Sequence, residues 1–259
     1  MIISTINRST RLNDEDILPV IRAINRQIQE DFYPYWSLNA SLRLEGKIGK
    51  KINKNSLADM RGDAVLYLAD EADIKDALGY HEANFRGIPY GFVFMDVCDS
   101  LGETWTVTLS HEALELIGDM QGNLLVQGPH PEDPQKEVFH WFEMCDAVQS
   151  QTYQIDGVEV SNFVLPAYFT LSEEEGSRND FLAKKTKGKG LASFGISAGS
   201  YIGFYNPESG KHETCWGADD AEAKERSALK AKAKSGRGFI RSHVKGNAVK
   251  ELGHKRVTT

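Results

Sequence analysis

LSHEALELIGD, residues 109–119, is the stretch on which the reading of this chain turns. A histidine is followed at once by a glutamate, and further carboxylates stand four and eight positions after the histidine, at Glu115 and Asp119. On an α-helix, residues i and i+4 lie about 40° apart on one face, so His111 and Glu115 can ligate one ion. Glu112 points about 100° away from His111, where it can reach a water on that ion rather than the ion itself. Asp119 either continues the His111 face or lies on the turn that ends the helix. Without an ion, Ala113, Leu114, Leu116 and Ile117 still make an ordinary core face.

Upstream of the motif, Thr104, Thr106, Val107 and Thr108 favour a strand while the following residues favour a helix. The helix begins at Ser110 as its N-cap, or earlier if tertiary packing overrides propensity. Gly118 is a stop signal, and the run QGN at 121–123 reinforces the turn. Downstream, FEMCDAV carries Glu143 and Asp146 between Trp141, Phe142 and Val148. Unpaired carboxylates are costly to bury in such company, and a cation shared with His111, Glu115 and Asp119 would offset that cost; surface exposure would do so equally.

Working outward, Asp14 to Asp31 places Ile17, Leu18, Ile21, Ile24 and Ile28 at helical spacing behind an acidic first turn, which predicts one amphipathic helix. Strands are expected where Ala40, Leu42 and Leu44 alternate, over residues 63–69, and over the apolar run Tyr90 to Val97. Asp156-Gly157 between alternating residues predicts a two-residue hairpin, and SYIGFYNPESGKHETCWG a second one turning at Pro207 to Gly210. From about residue 171 the polar runs SEEEGSRND and KKTKGKG suggest a linker, and AEAKERSALKAKAK a helix with few apolar residues. The division expected is a domain over 1–170, then an extension of linker, hairpin and basic helical tail over 171–259.

The chain of 259 residues, 41% hydrophobic and 26% charged, can bury one substantial core. No apolar run approaches the roughly 18 to 20 residues that span a bilayer, and MIISTINRSTRLNDED lacks the pattern of a signal peptide, so no membrane partner is expected. Three widely spaced cysteines, Cys98, Cys145 and Cys215, argue against a disulfide framework and for a reducing, cytoplasmic setting. The net charge of −7 is uneven: from Glu222 onward eleven Lys/Arg face three Glu, a local +8, which leaves −15 on residues 1–221. A basic tail of this kind meets nucleic acid, an acidic partner or a neighbouring subunit, or is simply a solvated terminus.

The succession LSHEALELIGD, FEMCDAV, YQIDGVEVSNF and VLPAYF resembles a group of bacterial and phage-encoded zincin-like, metalloprotease-like proteins. Members of that group carry SHExLExxxDP, then EVCDxVE, then IDGVxVSDFVxPxxF. The resemblance also takes in the DFYPYW end of the first helix and the GYHE…GIPYGFVF region, roughly residues 15–170. It implies an α+β fold of zincin type: a twisted mixed sheet with a long helix bearing His111 and Glu112 beneath it. By resemblance His111 is a metal ligand and Glu112 the water-activating base, and the IDGV…VLPAYF region underlies the site. Two departures bear on activity: Glu115 stands where zincin peptidases place a second histidine, and Met120 where the group has proline. Carboxylate ligands cancel the ion's charge, which makes its water harder to ionise, and oxygen-rich ligation admits calcium, manganese or magnesium alongside zinc.

The function expected is therefore a metal-dependent hydrolase of zincin type acting on a peptide or protein. His111, Glu115 and Asp119 would be ligands, Glu143 or Asp146 would complete the shell, and Glu112 would be the base. The alternative is a non-enzymatic scaffold, such as a phage virion or assembly component, that contacts other copies or virion proteins through its C-terminal extension. Nucleic acid enters only through the basic tail. Among other candidates, His81 and Glu82 read as turn residues or as a substrate-facing pair, and Cys145 as a buried structural thiol before a nucleophile paired with His140. KGKGLASFGISAGSYIG lacks the spacing of a phosphate loop, and Phe32, Tyr33, Tyr35 and Trp36 lack the interleaved basic residues of a base-stacking surface.

Overall fold

The computed structural model describes residues 1–47, 62–71, 79–83, 89–100, 102–171, 177–185 and 188–217. The N-terminus itself forms β1 (Ile2–Asn7), a strand the sequence pattern did not reveal because Ser4 and Thr5 interrupt its apolar residues. Five of its six residues are buried, as suits a strand covered on both faces. The helix predicted next is α1 (Asp14–Arg26), with acidic residues in its first turn and the Asn13 N–H donating to the Asp16 carboxylate at 3.0 Å. Ile17, Ile21 and Ile24 are buried and Leu18 is exposed.

The helix then widens into a π-helical stretch, Gln27–Phe32, before ending in α2 (Tyr33–Trp36). The wider turn puts Gln27, Ile28 and Phe32 all inside the protein. It is followed by β2 (Ser41–Lys47), β3 (Ala64–Ala69), β4 (Gly79–Ala83) and β5 (Pro89–Phe94). The predicted strand Tyr90 to Val97 stops at Phe94, where α3 (Met95–Ser100) begins.

These strands form one sheet in the order β2-β1-β3-β5-β4. Pairs β1–β2, β1–β3 and β3–β5 are parallel, and the edge strand β4 is antiparallel to β5. The motif helix α4 (Trp105–Gly118) starts well before Ser110. Tertiary bonds override the strand preference of its threonines: Thr106 Oγ1 donates to the Glu159 carbonyl at 2.7 Å and Thr104 Oγ1 to the Glu159 carboxylate at 3.3 Å. α1 and α4 bury their apolar residues in one cluster with Ile3, Leu42, Leu66 and Val93, so both helices lie on the same face of the sheet.

A second, antiparallel sheet begins with β6 (Leu125–Pro129) and β7 (Glu137–Trp141). The first predicted hairpin is β8 (Thr152–Ile155) and β9 (Val158–Ser161), with Ile155 opposite Val158 and both turn residues at positive φ, Asp156 at 51° and Gly157 at 81°. That combination belongs to a type I′ turn, which suits the twist of the strands. The second predicted hairpin is β10 (Tyr201–Asn206) and β11 (Lys211–Trp216). It joins β6 and β7 in the order β11-β10-β7-β6, through Phe204 opposite His140 and Tyr205 opposite Phe139.

Residues 177–183, expected as linker, are held against the first 170 residues: Leu165 N–H donates to Asn179, Phe181 N–H to Phe163, and Asn162 Nδ2 to the Asp180 carboxylate at 3.0 Å. The expected tail helix and the basic residues from 222 onward lie outside the described residues. The chain is thus a mixed α/β protein with one largely parallel and one antiparallel sheet. Among the described residues no helix is long and apolar enough to cross a membrane.

Candidate metal centre

α4 carries Ser110, Glu112 and Glu115 into the interior, and His111 keeps 13% of its side chain accessible. The last residue of the helix, Gly118, is a glycine that the packing uses: a Cβ there would stand 2.3 Å from Met144 Cε. Its absence lets Met144, fully buried, lie against the helix end. The segment after Met144 is drawn onto the same helix, because Cys145 N–H donates to Glu115 Oε1 at 3.2 Å. Asp146 begins a short 3-10 turn, Asp146–Val148, and so faces α4.

The result is that His111 Nε2 lies 3.3 Å from Glu115 Oε1 and 3.3 Å from Asp146 Oδ1, with both carboxylates about nineteen-twentieths buried, at 4% and 5% exposure. An imidazole bears at most one hydrogen on Nε2, and two carboxylates at these distances can only share it in a long three-centre bond. Both separations exceed the roughly 2.7–2.9 Å of a charge-assisted hydrogen bond. They match the about 3.3–3.5 Å that separates two donors on a tetrahedral zinc ion with bonds near 2.1 Å. Glu143 adds a further buried carboxylate: one donor atom each from Glu115, Glu143 and Asp146 lie within 4.8 Å of one another. The same holds for His111, Glu115 and Cys145.

The electrostatics follow from this crowding. Burial alone would depress the imidazole of His111, but Glu115 and Asp146 outweigh it and hold its pKa well above the ordinary value. Asp146 is pushed up to about 6, first by burial and then by the charge of Glu115, with His111 and Tyr201 pulling the other way. Burial also pushes the Cys145 thiol well up, and Glu115 adds to it, which makes it a protonated buried group. Its Sγ faces the His111 carbonyl at 3.9 Å, while His140 Nε2 bonds the Pro129 carbonyl at 2.8 Å, so the two do not form a nucleophile pair.

Of the residues singled out from sequence, His111, Glu115, Glu143 and Asp146 come together. Glu112 is buried beside them, near enough for its charge to raise both Cys145 and Tyr201. Asp119 is employed otherwise: its carboxylate accepts the Leu124 N–H at 2.8 Å and its carbonyl the Gly122 N–H at 2.9 Å, which closes the turn after α4. It belongs to neither donor group among the described residues. His81 and Glu82 lie on the edge strand β4, with His81 opposite Gly91.

Two features of the site escaped the sequence reading. One is Tyr201, the first residue of β10, whose pKa is pushed well up by burial and then by the charge of Asp146, and which in turn pulls that of Asp146 down. The alternation of SYIGFY places Tyr201 on a strand but says nothing of that carboxylate. The other is a buried polar chain behind His111. Ser110 Oγ donates to Gln27 Oε1 at 2.8 Å and accepts the Ser161 N–H at 3.1 Å, while Gln27 Nε2 donates to the Ser161 carbonyl at 2.8 Å. Tyr153 continues the chain, donating to Asp31 at 2.8 Å. It ties the π-helical stretch, the motif helix and the first hairpin into one support for the site.

Fold and site together define a mixed α/β protein in which His111 and Glu115 of α4 meet buried carboxylates from the segment after β7. The chain matches no family model, no curated protein and no solved structure.

Proposed function

We propose that His111, Glu115 and Asp146 hold a divalent metal ion, zinc foremost, and that the protein is a metal-dependent hydrolase of zincin type acting on peptide bonds. The observation that carries this reading is the position of His111 Nε2, 3.3 Å from two buried carboxylates supplied by two different elements. Glu143, with a donor atom within 4.8 Å of those of Glu115 and Asp146, would add a fourth donor. A twisted mixed sheet over a helix bearing His111 and Glu112 is also what the zincin resemblance implies.

In such a site the ion supplies Lewis acidity and a position for the attacking water. His111 contributes a neutral nitrogen, and Glu115 and Asp146 contribute anionic oxygens that together offset the ion's charge. Glu112, on the same helix but turned from the ligand face, would serve as the general base, accepting the proton of the attacking water and passing it to the leaving amine. With two or three carboxylates about the ion, hydrolysis is expected to be slow beside that of an imidazole-rich site.

Elemental analysis of the purified protein, next to the same measurement on His111→Ala, tests the ligation: stoichiometric metal retained by the variant sinks it. A peptide-library digest with wild type and Glu112→Ala tests the chemistry, and identical product patterns remove Glu112 as base.

A second reading, a non-enzymatic scaffold that binds neighbours through its basic C-terminal segment, rests on the +8 of residues 222–259 against −15 in the rest. Deleting that segment and sizing the protein decides it, since an unchanged assembly state counts against the scaffold.

A further inference from the structure

Cys145 is held against both α4 residues read above as ligands. Its side chain is fully buried, and its Sγ lies within 4.8 Å of a donor atom of His111 and of one of Glu115. Its backbone N–H donates to Glu115 Oε1 at 3.2 Å, while Sγ faces the His111 carbonyl at 3.9 Å. One turn of the motif helix therefore fixes both the main chain and the side chain of this residue. A thiol is a weak donor, so the contact with the carbonyl costs little to give up when an ion arrives.

Glu143 and Cys145 compete for the place of a fourth donor, and the geometry favours the thiol. Glu143 is grouped with the carboxylates Glu115 and Asp146, whereas Cys145 shares its group with His111, the residue that faces both ligating carboxylates. On a tetrahedral ion with bonds of about 2.3 Å to sulfur and about 2.0–2.1 Å to nitrogen, those two donors stand about 3.5 Å apart. From a separation of at most 4.8 Å, Sγ reaches that position by moving little more than about 1 Å. Cys145 is also the residue just before the 3-10 turn that Asp146 begins. One short segment can thus supply a sulfur and an oxygen, as α4 supplies a nitrogen and an oxygen.

We infer that Cys145 is a fourth ligand of the metal centre, so that the ion is held by one nitrogen, two oxygens and one sulfur. The inference rests on the metal-binding reading above and narrows the class of ion. As the bond between Sγ and the ion forms, the S–H bond breaks and its proton passes to water. A thiolate selects zinc, or cobalt in its place, over calcium and magnesium, which take oxygen ligands. It adds a third negative charge to those of Glu115 and Asp146, in keeping with slow hydrolysis. Zinc accepts a fifth donor during catalysis, so the water keeps its place.

X-ray absorption at the zinc edge of the zinc-loaded wild-type protein tests this without any substitution. One sulfur at about 2.3 Å is expected beside nitrogen and oxygen donors at about 2.0–2.2 Å. The cobalt-loaded protein is expected to show a near-ultraviolet sulfur-to-cobalt charge-transfer band that Cys145→Ser loses. Zinc affinity in Cys145→Ser, measured by competition with a chromophoric chelator, is expected to fall about 100-fold. Calcium in large excess leaves the zinc of the wild type in place.

A shell of nitrogen and oxygen alone around the zinc overturns the inference, provided His111→Ala has lost the metal, and the site itself then stands. A charge-transfer band or a wild-type zinc affinity that survives in Cys145→Ser does the same. No zinc or cobalt bound by wild type overturns the underlying reading instead. Should Cys145→Ser fail to fold, the zinc-edge spectrum of the wild type decides alone.

Discussion

The hydroxyl of Ser110 holds together three elements behind the candidate metal centre, and its removal has a calculable consequence. In Ser110→Ala the Gln27 Oε1 acceptor loses its 2.8 Å partner and the Ser161 N–H loses its 3.1 Å partner. Ser110, Gln27 and Ser161 are all fully buried, so water does not replace the hydroxyl without rearrangement. A buried polar group left unsatisfied costs about 1–3 kcal/mol, so the pair is expected to cost roughly 2–6 kcal/mol. For a chain of this length that corresponds to a fall of roughly 5–15 °C in melting temperature. Urea unfolding followed by circular dichroism, with the slope checked for two-state behaviour, gives the free energy directly. Gln27→Leu in the Ser110→Ala background removes the orphaned acceptor, and the double variant should cost less than the two single variants added together, by at least about 1 kcal/mol. A Ser110→Ala protein within about 0.5 kcal/mol of wild type would refute the reasoning, because the hydroxyl would then not be satisfying either group.

Zinc at a hundred times its dissociation constant should stabilise wild type by about 2.7 kcal/mol and raise its melting temperature by several degrees; Glu115→Ala should show no such rise, and an equal rise would remove Glu115 as a ligand. Gly118→Ala places a methyl group 2.3 Å from Met144 Cε and 3.0 Å from its Cγ, so either the Met144 side chain or the segment that leads to Asp146 must shift. A stability loss of about 1–3 kcal/mol together with weaker zinc binding is expected, and wild-type values for both would show that Met144 simply swings aside. Burial depresses His140 below its ordinary value despite its bond to Pro129. The unfolded chain therefore takes up a proton that the folded one refuses, and stability is lost as pH falls below about 6.5 toward the folded pKa. His140→Gln should flatten the urea midpoint between neutral and mildly acidic pH; the same slope in both proteins would exclude His140 as a source.

What was legible in the sequence was local. The apolar spacing of Ile17, Ile21 and Ile24, the Asp156-Gly157 turn and the i, i+4 pair His111 and Glu115 each need only the geometry of one element, and each is found as the spacing requires. β1 was not legible, because a strand buried by neighbours on both sides tolerates Ser4 and Thr5 and so loses the apolar signature. The true start of α4 was not legible either, since Glu159, some fifty residues on, supplies the bonds that hold Thr104 and Thr106.

For the site, the sequence by itself determined which residue types were in play: a histidine and carboxylates on one helix face, with more carboxylates in FEMCDAV. Only the tertiary structure decided among them. Asp119 accepts the Leu124 N–H, Asp146 is brought to His111 Nε2, and Tyr201, on a strand that pairs with β7, comes near enough to Asp146 for each to shift the other's pKa. Helical periodicity fixes neighbours four residues apart, whereas contacts across thirty or ninety residues depend on how sheets and turns pack, as in the absence of a side chain at Gly118 that admits Met144.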